Sequence, residues 1–92
     1  MKNYNLDADL LDTLDILNFT LSSDFVEKWR YKYSTNFLIL FQKKLLESLE
    51  RSKPMKRKVL YSFLTVKYKY SPDLVDDFFK SIDIELYSPI IK

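Results

Sequence analysis

Apolar residues recur at three- and four-residue intervals through five successive segments of the chain, and this periodicity constrains its fold more than any other feature. Leu6, Leu10, Leu14, Leu17 and Leu21 form the first stripe, flanked by Leu11, and predict a helix over about residues 7–19. Asp7 and Asp9 fall in its first turn, where negative charge suits the positive end of the helix dipole. Asp12 and Asp15 lie off the stripe as a solvated face, with an acidic surface for a basic partner as the sharper alternative, while Ile16 and Phe19 imply contacts on a second side.

Val26, Trp29 and Tyr33 continue at helical spacing and predict a second helix at about 24–33, with Asp24 and Glu27 at capping-box spacing. Ser34, Thr35 and Asn36 are poor helix-interior residues and good caps, so a third helix is expected at about 36–51. Its apolar arc is Phe37, Leu38, Phe41, Leu45 and Leu49, opposite Lys43, Glu47 and Glu50, with Glu47 and Arg51 as a favourable i,i+4 pair. Ile39 and Leu46 widen the arc beyond one face, which implies central burial or an oligomer interface.

Ser52 and Pro54 resemble a cap followed by proline in a first turn, opening a fourth helix at about 54–69. Met55, Val59, Phe63, Val66 and Tyr70 are its expected core stripe; alternation of Val66, Tyr68 and Tyr70 with lysines supports a competing strand. Ser71, Pro72 and Asp73 repeat the start signal, and Leu74, Val75, Phe78, Phe79 and Ile82 make an amphipathic helix at about 72–82. The tail alternates Ile82, Ile84 and Leu86 with Asp83 and Glu85, as an edge strand or extended segment would, and Ile90 and Ile91 make it too apolar to dangle. The expected fold is all-α: one domain over residues 1–92, a compact bundle of four to five short helices with an extended C-terminal tail.

Composition narrows the chemistry. Without His or Cys, the usual zinc, haem and iron–sulfur sites are excluded, as are thiol and imidazole catalysis. Without Gly, no Walker-type or Rossmann-type phosphate loop can form. The scarcity of Ala beside abundant Lys, Tyr, Phe, Ile and Asn suits an AT-rich genome, such as those of many phages and viruses. No apolar run approaches the ~20 residues of a spanning helix, and aspartates interrupt the N-terminal stretch where a signal peptide is uncharged. A cytoplasmic, soluble protein without membrane partners is expected.

Charge is segregated. Residues 1–27 carry −5, residues 28–69 carry +10, and residues 70–92 carry −3. Such blocks either create a functional field or neutralise one another in the fold, and the second is favoured in a chain this short. The segment 53–70 holds six of the fifteen basic residues and no acidic one. On a helical wheel, Arg57, Tyr61, Leu64 and Tyr68 form a second stripe away from the core stripe, a candidate partner-binding face. Lys43, Lys44, Lys53, Lys56, Arg57, Lys58, Lys67 and Lys69 are the candidate phosphate contacts if the partner is nucleic acid.

A helix-turn-helix reader is disfavoured, because Asp73, Asp76 and Asp77 would place carboxylates against phosphates. That acidic turn is read as a dipole complement, with a magnesium site as the sharper alternative. Trp29, Arg30, Tyr31, Lys32 and Tyr33 make a weaker aromatic–basic patch, in which Tyr31 with Lys28 or Lys32 extends a binding surface. No spacing joins a nucleophile to a base, so no enzymatic activity, metal or cofactor is expected. The expected function is a non-enzymatic binding module acting on a protein partner, of the regulator or inhibitor type that small phage and viral proteins provide. The alternatives are an accessory nucleic-acid-binding protein using its basic 43–69 region, and a homodimer joined through the surplus apolar faces.

Overall fold

A computed structural model describes residues 8–92, with side chains from Leu14 onward. Leu6 and Asp7, and the side chains of Asp9, Leu10, Leu11 and Asp12, lie outside the described residues. The chain is all-α, with five α-helices among the described residues: α1 Ala8–Thr20, α2 Ser23–Trp29, α3 Thr35–Arg51, α4 Arg57–Ser62 and α5 Pro72–Ser81. A π-helical segment, Phe63–Lys67, continues α4, and a 3₁₀ turn, Ile84–Tyr87, follows α5. The Cα radius of gyration is 12.9 Å, near the ~12–13 Å of a compact chain of this length.

Phe78 is the centre of the core. It is fully buried, with ring centroids 4.9 Å from Phe37, 4.9 Å from Phe41 and 5.1 Å from Tyr33, all edge-on. Edge-to-face pairs at these separations set each ring's positive edge against its neighbour's negative face. Phe25 joins from α2, and Leu17, Leu38, Leu45, Leu60, Leu64, Val75, Ile90 and Ile91 close the cluster. Of the first leucine stripe, Leu17 is buried and Leu21 partly buried, whereas Leu14 is exposed.

The caps show where local chemistry decides the boundaries. Ser34 accepts a hydrogen bond from the Phe37 N–H at 3.1 Å, fixing the start of α3. At its other end Ser52 takes the left-handed conformation, φ 55°. The Ser52 and Lys53 N–H groups bond back to the Leu49 and Ser48 carbonyls, a Schellman closure normally served by glycine. The Gln42 amide donates to the Thr20 and Ser22 carbonyls at 2.8 and 2.9 Å, satisfying the end of α1. In the buried pair between α1 and the 3₁₀ turn, Thr20 donates to the Ile16 carbonyl, leaving the Tyr87 hydroxyl to donate to Thr20 Oγ1 at 2.6 Å.

Four boundaries differ from the sequence expectation. The second helix stops at Trp29 instead of Tyr33: the Lys32 N–H bonds to the Trp29 carbonyl three residues back rather than four, and the Tyr33 side chain packs on α5 against Phe78 and Asp77. Its cap position is Ser22, and Asp24 lies inside the first turn without a capping bond. The fourth helix starts at Arg57, not Pro54. Met55 is extended and paired with Ile91: its N–H donates to the Ile90 carbonyl at 2.7 Å and its carbonyl accepts from Lys92 at 2.6 Å. Ser52 thus ends one helix rather than starting the next. The tail does not extend as a strand over 82–86; it coils into the 3₁₀ turn, burying Ile82 and Ile84 while exposing Leu86.

Candidate functional site

The Met55–Ile91 pairing also sets which face of α4 points inward. Leu60 and Leu64 are fully buried, whereas Val59 is 46% and Val66 66% exposed. The expected core stripe is therefore only partly inside: Met55 is buried and Phe63 and Tyr70 pack against the core, while Val59 and Val66 do not. The expected core residues Val59, Phe63 and Val66 face outward or half-outward, and Leu64, expected on the partner-binding face, is a core residue closed to any partner. Beyond α4, the π segment holds Thr65 against the Tyr61 carbonyl at 2.9 Å and delivers the chain to Lys69 at φ 64°.

Arg57 and Tyr61 line a groove of about 1000 Å³ between the start of α4, the second half of α5 and the 3₁₀ turn. Its apolar surface comes from Tyr61, Phe79 and Ile84, with the Tyr61 and Phe79 rings 6.5 Å apart at 63°. Around it stand Lys56, Arg57, Lys58, Lys80 and Lys92 together with Asp76, Asp83 and Glu85. Asp83 makes this geometry by adopting φ 55°, which turns the chain out of α5 and brings Glu85 across to α4. There Arg57 Nη2 donates to Glu85 Oε1 at 2.8 Å. The pair is open to water, so it fixes geometry more than it adds stability. Arg57 Nε is buried without a hydrogen-bond partner among the described residues, leaving one donor of the guanidinium uncommitted.

The expected partner-binding stripe is thus divided. Arg57 and Tyr61 share the groove, Leu64 belongs to the core, and Tyr68 stands elsewhere, edge-on to Phe63 at 5.0 Å. Phe79, Lys80, Ile84, Glu85 and Lys92 were not anticipated. They join the groove only because α5, the 3₁₀ turn and the C-terminal residue return to α4, and no local pattern carries that information.

The candidate phosphate contacts also separate. Lys44, Lys53 and Lys56 gather with Arg51 around a second, smaller pocket of about 270 Å³. Lys56 stands between this pocket and the groove, which Arg57 and Lys58 line. Lys67 lies over the Phe63 and Tyr68 rings. Lys43 and Lys69 are exposed and line neither of these pockets.

The acidic turn of α5 serves two ends. Asp76 faces the groove, whereas Asp77 ties α5 to the turn after α2, accepting from the Tyr33 hydroxyl at 2.6 Å and lying 3.0 Å from Lys32 Nζ. The Tyr33 bond, and after it Lys32, holds the Asp77 carboxyl below the usual carboxylate range. Burial, and then the bond to Asp77, pushes the Tyr33 phenol up. Among the described residues, no three carboxylates converge in a way that could hold a metal ion. In the second aromatic patch, Trp29 is half-buried and stacks on Tyr31 at 6.5 Å, with Lys28 Nζ 5.2 Å from the Trp29 ring.

Compared with protein-family models, curated proteins and solved structures, the chain matches none. Among the described residues no helix is long and apolar enough to cross a membrane.

Proposed function

We propose that this protein is a non-enzymatic binding module, and that the α4–α5 groove receives a short segment of a partner protein. The observation that supports this reading is the joint presence, in one concave site, of an apolar floor and charges of both signs. Tyr61, Phe79 and Ile84 offer area for one or two apolar anchors, the kind of contact that carries most of an interface's energy. Lys58, Lys80, Asp76 and Asp83 offer partners of both signs to a peptide carrying both charges. A peptide of mixed charge matches this groove better than a polyanion does, because Asp76 and Asp83 stand among its lysines and would be left facing phosphates. Occupying a partner's segment without transforming it is how a regulator or inhibitor acts.

Selection from a random-peptide display library tests the proposal. Enriched peptides should contain an aromatic or aliphatic anchor beside charged residues. Tyr61→Ala should weaken them at least about tenfold, the scale of a hot-spot truncation. Enriched peptides indifferent to both Tyr61→Ala and Lys58→Glu would contradict it.

A further inference from the structure

A second site lies on the other side of Lys56, where cations and partly exposed rings form one continuous face. Lys44, Arg51, Lys53 and Lys56 converge on the 270 Å³ pocket, with Glu47 as its single carboxylate. Glu47 is already shared, lying 3.2 Å from Lys44 and 3.7 Å from Arg51. Lys44, and behind it Arg51 and Lys43, holds the Glu47 carboxyl below its usual range, so it stays charged and occupied. Lys53, Lys56 and Lys67 make no ion pair among the described residues.

Lys44 connects this pocket to the aromatic pair. Its ammonium lies 4.9 Å from the Phe63 ring centre, and the Lys67 ammonium lies 5.6 Å from the same ring and 5.7 Å from Tyr68. Two ammonium groups therefore lie near one ring, and of the two only Lys44 is paired with a carboxylate among the described residues. Phe63 is half-buried and Tyr68 is 38% exposed, so the pair offers ring surface while its inner side is anchored. Val59, one turn before Phe63, is exposed and lines the basic pocket.

We propose that this face binds single-stranded nucleic acid, with phosphates held by Lys44, Lys53, Lys56 and Lys67 and an unpaired base stacked on Tyr68. Unpaired strands alternate anionic groups with flat apolar ones, matching cations interleaved with rings. Duplexes keep their base faces inside the helix, where Tyr68 cannot reach them. An acidic peptide would satisfy the lysines but leave the rings without a stacking partner. The site is separate from the peptide groove except at Lys56, and it does not depend on the function proposed there.

Fluorescence anisotropy of the full chain with labelled dT12 and rU12 at 50 mM salt tests this, with a 12-base-pair duplex and a poly-aspartate peptide as comparisons. Either single strand should bind, with affinity falling about two to three decades per decade of salt, as three or four phosphate contacts require. Tyr68→Ala should weaken binding roughly tenfold, with Tyr68→Phe restoring it. Lys53→Glu combined with Lys67→Glu, both on exposed positions that leave the core intact, should weaken it at least as much. Tyr61→Ala in the groove should change nothing. No binding of either strand at 50 mM salt overturns the proposal. So does equal or tighter binding of the duplex or the acidic peptide, or affinity that ignores both the Tyr68 and the lysine substitutions.

Discussion

Among the described residues, three carry the burden that glycine normally bears. Ser52, Lys69 and Asp83 adopt φ between 55° and 64°, and each sits where one helical element gives way to the next. A side chain in this region crowds the following carbonyl, which costs about 1–2 kcal/mol. Ser52 is the simplest to relieve: Ser52→Gly should raise stability by about 0.5–1 kcal/mol in a chemical denaturation series. Titratable side chains act at the same scale. Burial pushes the Tyr87 phenol up, and burial also leads the rise at Tyr33. Both phenols hold their protons more tightly in the folded chain. Their contribution is complete below the ordinary phenol value near 10 and is lost as pH rises through the folded values. Asp77 has the opposite sign: its contribution is complete above the ordinary carboxylate value near 3.8 and is lost as pH falls. Denaturation midpoints measured against pH should therefore decline at both ends, with Tyr87→Phe flattening the alkaline limb and Asp77→Asn the acid limb.

Among the elements, α3 and α5 were legible in the sequence because their own residues end them. Ser34 accepts the capping bond its type implies, and Pro72 occupies the first turn of α5. The fourth helix was misread because its start and its inward face depend on Ile90, Ile91 and Lys92, more than thirty residues away. Pro54 there follows a helix end and leads into an extended Met55 rather than opening a helix. A wheel drawn from residue 54 weighs Val and Phe as heavily as Leu and has no means of seeing that pairing. The corrected face makes a sharp comparison. Leu64→Ala should cost about 2–5 kcal/mol, as cavity formation in a core does, whereas Val66→Ala at a 66% exposed position should stay within about 0.5 kcal/mol. Equal losses at the two positions would contradict the described orientation of α4.

Across the whole molecule, the separation of charge along the chain is only partly cancelled by folding. Lys32 with Asp77 and Arg57 with Glu85 join the basic middle block to the acidic last block, as mutual neutralisation predicts. Lys53, Lys56, Lys58 and Lys67 form no such pair among the described residues, and the basic excess around them persists at the surface. The apolar surplus on α3 is more limited: Ile39 and Leu46 are exposed seven residues apart, with the charged Lys43 between them, and such isolated side chains are ordinary on a surface. The groove was half legible. Arg57 and Tyr61 could be picked from their residue types, but its α5 and C-terminal walls exist only after three distant segments meet. The groove is also where the account is most exposed to test, by backbone amide shift mapping of the full chain titrated with a display-selected peptide. Shifts should concentrate at Lys58, Tyr61, Asp76, Phe79, Lys80 and Ile84. Shifts confined to α2 and the outer ridge of α3 would place the binding surface elsewhere and contradict the proposed function.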